Sequence, residues 1–107
     1  MPEMLYKIEM KTPIGIRYGT MYVQTTGNEI KGYLDLMEHS EPFYGNVNKN
    51  GTCNIQGNII TLTKTIAYHA VGEMTKEEIS LEVHTKQDTF YIVGKEERNE
   101  KILQSYC

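Results

Sequence analysis

The sequence predicts an all-β domain, with eight antiparallel strands in an up-and-down meander that forms a small barrel. Three observations carry that expectation. Turn-forming residues recur at about every 10 to 15 positions, and β-branched or aromatic runs fill the intervals. Within those runs apolar and polar residues alternate, which is the period of a half-buried strand. Finally, one glycine falls in almost every run: Gly19, Gly32, Gly45, Gly57, Gly72 and Gly94. Placed inward, such glycines allow the sharp bending that a closed sheet requires, or leave internal space for a ligand.

The strands are expected at about 4–11, 16–25, 29–37, 43–48, 52–61, 65–74, 78–85 and 89–95. Pro13-Ile14-Gly15 closes the first hairpin and brings Tyr6, Ile8 and Met10 to the interior. A turn at Gly27-Asn28 sets Val23, Met21 and Gly19 against Gly32, Leu34 and Leu36, with Tyr22 opposite Tyr33 outside. A loop centred on Ser40 then sets Leu36 against Phe43, Leu34 against Gly45 and Gly32 against Val47. Lys49-Asn50-Gly51 reads as a three-residue loop with a left-handed glycine, which faces Val47 to Cys53, Gly45 to Ile55 and Phe43 to Gly57. Lys76-Glu77 pairs Met74 with Ile79, Gly72 with Leu81, Ala70 with Val83 and Tyr68 with Thr85. The links over 61–65 and 86–88 are less defined, and a bulge is expected there. The tail 96–107 holds acids before bases among good helix formers, as in a short capping helix or a frayed end. Barrel and tail together make one domain, 1–107.

Composition narrows the functional classes. In 107 residues, 39% are hydrophobic and 23% charged, which is a globular balance. A net charge of −3 without a basic cluster speaks against a nucleic-acid partner. Met1-Pro2-Glu3-Met4 shows no basic segment ahead of an apolar one, and no apolar run approaches the roughly 20 residues of a spanning helix. A cytoplasmic protein without a membrane partner is expected, with Cys53 a buried thiol and Cys107 a terminal one.

Catalytic and cofactor motifs are missing. The chain has no G-x-S-x-G, no G-x-x-x-x-G-K-[ST] and no G-x-G-x-x-G. Cys53 is expected among Val47, Ile55 and Phe43, where a thiol behaves as a small hydrophobe. His69 and His84 are expected as cross-strand neighbours with Glu82 close by, a set that would suit a transition metal only weakly. His39 falls in the polar loop Glu38-His39-Ser40-Glu41. No catalytic residue and no cofactor is expected.

Two places for a function remain. The barrel interior between Tyr6, Met10, Met21, Leu34, Phe43, Ile55, Tyr68 and Phe90 would hold a small apolar ligand, with Tyr68 as its polar handle. Outside, Tyr18, Tyr22, Tyr33 and Tyr44 fall on one face with Met37 nearby. That face would pair with a second copy or serve a larger enzyme as a subunit contact.

With its glycine-marked meander and stretches such as Lys11-Thr12-Pro13-Ile14-Gly15 and Pro42-Phe43-Tyr44-Gly45, the chain resembles small bacterial calycin-like domains. These belong to the class of lipocalins and fatty-acid-binding proteins. The resemblance covers residues 4–95, rests on architecture alone and implies an eight-stranded barrel; it is no evidence for a ligand. The lipocalin G-x-W motif is absent, since the chain has no tryptophan. The arginine pair that holds a carboxylate in fatty-acid-binding proteins has no counterpart. No residue role is therefore carried over.

Overall fold

A computed structural model of the chain describes residues 3–36, 39–60 and 63–97. It consists of eight strands: β1 (Glu3–Thr12), β2 (Gly15–Thr26), β3 (Glu29–Leu36), β4 (His39–Val47), β5 (Thr52–Ile60), β6 (Thr65–Met74), β7 (Glu78–His84) and β8 (Thr89–Glu96). Each pairs antiparallel with the next, and β1 pairs with β8, so the sheet is a closed barrel in sequence order. The closing ladder runs from Tyr6–Glu96 to Lys11–Tyr91.

Local chemistry explains the tight hairpins. Threonines anchor three of them. Thr75 Oγ1 accepts hydrogen bonds from the amides of Glu77 (3.2 Å) and Glu78 (3.0 Å). Thr85 Oγ1 does the same for Gln87 (3.3 Å) and Asp88 (3.0 Å). Thr12 Oγ1 accepts from the Ile14 amide at 3.3 Å and donates to the Gly15 carbonyl at 2.8 Å. These side chains satisfy backbone groups that a two-residue turn would leave open. At the loop between β4 and β5, Gly51 takes φ of 92°, the left-handed region that costs a glycine little.

The expected registers hold at the turns around 13–14, 27–28, 49–51 and 76–77. One does not. The loop centred on Ser40 is replaced by a link at 37–38, so Leu36 pairs with His39, Leu34 with Glu41 and Gly32 with Phe43. The slip is four residues, an even number, so every side chain keeps its face. The polar run His39-Ser40-Glu41 reads as a loop, yet it is strand: at a barrel mouth, inward positions are still wet. No bulge interrupts the described β5–β6 or β7–β8 ladders, which run in constant register to Ile60–Thr65 and His84–Thr89. Met37 and the tail 98–107, expected as a helix or frayed end, lie outside the described residues.

Inward residues form one core of Tyr6, Ile8, Met10, Met21, Val23, Ile30, Leu34, Leu36, Phe43, Cys53, Ile55, Tyr68, Ala70, Met74, Ile79, Leu81, Val83 and Ile92. The inward glycines mark close approach of strands, not empty space. A Cβ on Gly32 would collide with the Tyr22 carbonyl and come within 2.9 Å of the Phe43 ring. A Cβ on Gly45 would strike the carbonyl of Asn54. Neither obstacle is the end of a flexible chain, so the backbone itself must move. Gly32→Ala is therefore expected to destabilise the fold by about 2–3 kcal/mol, seen as a lower urea midpoint at unchanged m-value. A variant with wild-type stability would show that the bend at Gly32 tolerates a side chain.

Candidate functional site

The two mouths of the barrel differ. At one end, the Tyr6 hydroxyl crosses the opening to donate to the Thr75 carbonyl, and it also contacts Met4 Sδ at 3.2 Å. Tyr6, Met21, Val23, Phe43 and Ile55 are all at most 1% exposed, so the interior below is filled. Burial, with Glu96 nearby, raises the Tyr6 phenol pKa. That end is shut.

The other end carries the turns at 13–14 and 86–87, with the ends of β3 and β5 and the starts of β4 and β6, and there a pocket of about 530 Å³ opens. Its lower wall is apolar: Met10 from β1, Leu34 and Leu36 from β3, Ile59 from β5, Ile66 from β6 and Phe90 from β8. Around the rim stand Thr12, Arg17, His39, Glu41, Asn58, Thr63 and Asp88. Arg17 pairs with Met10 and Glu41 with Leu34, which places both on the inward side of their strands at the mouth. Among the described residues, the rim thus holds one fixed cation, Arg17, against the carboxylates of Glu41 and Asp88. Such a mouth has no preference for an anion.

Of the residues expected around an internal ligand, Met10, Leu34 and Phe90 line this pocket. Tyr6, Met21, Phe43, Ile55 and Tyr68 lie deeper, in the core. No glycine lines it, so the inward glycines do not supply its space. Sequence reasoning missed Arg17, His39, Glu41, Ile59, Ile66 and Asp88. His39 and Glu41 carry no strand signal, because Glu38-His39-Ser40-Glu41 is polar at every position and shows no apolar alternation.

Tyr68 is only 5% exposed, and its hydroxyl is the one buried side-chain polar atom among the described residues without a hydrogen-bond partner. Burial raises its pKa, so it is a neutral phenol at any physiological pH. Cys53 is also buried, and desolvation followed by the charge of Glu73 pushes its thiol up to about 11. It is protonated at neutral pH and no nucleophile.

On the outer surface, His69 and His84 are direct cross-strand partners, and His84 Nε2 lies 3.5 Å from Glu82 Oε1. Among the described residues, however, no three metal-ligating side chains converge on one point. The tyrosines divide into two groups. Tyr22 faces Tyr33, Tyr33 faces Pro42, and Tyr44 follows two positions along β4, making one diagonal row. Tyr33 and Tyr44 are 52% and 61% exposed, while Glu3 hydrogen-bonds the Tyr22 phenol and raises its pKa. Tyr18 is separated from Tyr22 by Thr20 along the outer face of β2 and lines a different groove, with Val93 and Lys95.

Comparison with known proteins rests on architecture. No family model matches the sequence, and no curated protein matches it. Among solved structures, a redesigned β-barrel, mFAP1, determined bound to DFHBI, superposes with a TM-score of 0.61 over 88% of this chain and 92% of that one, at 13% identity. A second redesigned barrel, b11L5F_LGL, gives a TM-score of 0.59 over 88% of each chain at 11% identity. The likeness is one of fold. An eight-stranded closed barrel is shared, and no residue role follows from identities this low.

The buried thiol gives a pH test. In the unfolded chain Cys53 ionises from its ordinary value of 9.0, while in the native state it holds its proton to about 11. Its contribution to stability is therefore complete below pH 9 and is lost as pH rises from about 9 towards 11. Replacing it in Cys53→Val is expected to flatten the fall in urea midpoint between pH 8 and pH 10. An unchanged slope would show that other groups carry the alkaline loss.

Proposed function

We propose that this barrel is a non-enzymatic binding module that takes one small, neutral, mainly apolar molecule into its open mouth. The observation that carries the reading is the pocket itself: about 530 Å³ with an apolar lower wall beneath a polar rim. Ligand sites are commonly clefts of about 300–1,000 Å³ with few polar groups. Transfer of an apolar ligand surface from water to that wall supplies roughly 25 cal/mol per Å² before the entropy of association is subtracted. The rim charges disfavour an anionic guest, since Glu41 and Asp88 outnumber Arg17 among the described residues. That a barrel of the same fold was determined with DFHBI bound supports the capacity of the architecture, and says nothing of the guest here.

A second reading rests on the exposed row of Tyr33, Tyr44 and Pro42 beside Tyr22, which would pair two copies of the chain. Tyrosine offers a rigid apolar body with a polar tip, and is enriched at interfaces. Sedimentation equilibrium tests it. The reading expects a dimer mass in wild type that is lost in Tyr33→Glu, and a wild-type monomer at high concentration rejects it.

For the ligand site, Nile red serves as a neutral probe and 8-anilinonaphthalene-1-sulfonate as an anionic one. Saturable binding of the first, much weaker binding of the second, and roughly tenfold or greater loss in Ile59→Trp are expected in a fluorescence titration. Because Ile59 is only half-buried at the pocket wall, the larger side chain fills space and leaves the melting temperature within a few degrees. Unaltered affinity in Ile59→Trp would remove the mouth as the site.

A further inference from the structure

Resting on the mouth as a ligand site, the geometry points to Tyr68 as its buried hydrogen-bonding contact, and to a guest that carries a carbonyl oxygen at its leading end. Tyr68 lies one inward step below Ile66 on β6, and its partner Gly57 lies one step below Ile59 on β5. Ile59 and Ile66 are both in the pocket wall, so the Gly57–Tyr68 pair is the next layer down. Gly57 in turn faces Phe43 of β4.

The pairing of Tyr68 with a glycine makes room for the phenol. A Cβ on Gly57 would stand 2.9 Å from Tyr68 Oη and 3.2 Å from Cζ, so the head of the ring lies over the bare backbone. If the ring served packing alone, phenylalanine would fill the same volume without a polar atom. A buried hydroxyl left unbonded costs about 1–3 kcal/mol. Tyr6, the other fully inward tyrosine, has its partner at Thr75, whereas Tyr68 has none. Its inward neighbours Ile66, Ile59 and Phe43 are apolar, and the Pro42 carbonyl, which a Cβ on Gly57 would also meet at 2.9 Å, makes no hydrogen bond with it.

A partner delivered by the guest resolves this. The phenol, kept protonated by burial, donates most readily to an acceptor such as a ketone, aldehyde or amide oxygen. A carboxylate would fit poorly at that depth. Arg17 stays exposed at the rim, and among the described residues no charged side chain is buried to meet a carboxylate at that depth. The guest is thus an apolar body led by one uncharged carbonyl.

The test compares two naphthalene dyes that differ in one group: 6-propionyl-2-dimethylaminonaphthalene, a ketone, and 2-dimethylaminonaphthalene, which lacks it. In wild type both bind, the ketone more tightly and with the red-shifted emission of a hydrogen-bonded carbonyl. Tyr68→Phe is expected to weaken the ketone about tenfold and shift its bound emission to the blue. The ketone-free dye should change less than twofold, and the ligand-free variant should melt no lower than wild type. Equal affinity of the ketone for both proteins overturns the role of Tyr68 while leaving the mouth as a site. A clear fall in the melting temperature of the free variant overturns it too, by showing that the hydroxyl is bonded within the protein. Failure of both dyes to bind wild type overturns the ligand-site reading on which this one rests.

Discussion

Closure of β1 onto β8 is the constraint from which the other features descend. A meander of eight strands has two edges, each with a row of unpaired backbone groups that would seek partners in other chains. The ladder from Tyr6–Glu96 to Lys11–Tyr91 removes both. It also fixes the interior as a finite volume that inward side chains must fill. Gly94 is the local condition for that join: a Cβ there would come within 2.6 Å of Ile8 Cγ2 and 3.1 Å of Ile79 Cγ2, so the two isoleucines occupy the space its side chain would need. Bends at Gly32 and Gly45 supply the curvature on the far wall, where strand carbonyls take the place of side chains.

Given a closed interior, the distribution of bulk along the barrel axis decides where space remains. Large side chains gather towards the end where Tyr6 bonds across to Thr75, and the core there is solid. Towards the other end the inward positions pass to Arg17, His39, Glu41 and Thr12, which are drawn to water and do not fill the centre. The pocket is the consequence. Its walls are built from regular strands, which hold a site more firmly than loops do.

Most of the fold is legible in the sequence because the inner face is written twice, once by the apolar alternation and once by the turn chemistry. Val47 with Cys53 and Met74 with Ile79 follow from a glycine-ended loop and a two-residue turn, with no other information. The register of β3 on β4 is not legible in the same way. Its link at 37–38 carries no glycine or proline, while the polar run at His39-Ser40-Glu41 imitates a loop. Since a four-residue slip preserves the faces, the core list survives and the mouth does not. The candidate site suffers from that error, because His39 and Glu41 become rim residues only once they are strand. The deeper limit is physical. Alternation says which residues point inward, but not whether they meet in the middle, so glycines that mark strand contact read equally well as space for a guest.

The central claim is that one end of this barrel is packed and the other receives a small neutral molecule. Methyl-labelled NMR during a Nile red titration tests it most directly. The account predicts saturable shifts at the methyls of Met10, Leu36, Ile59 and Ile66, with Val23, Ile55 and Met74 left in place. Shifts that fall instead on Val71 and Val93 of the outer surface, or that spread evenly through the core, would contradict it.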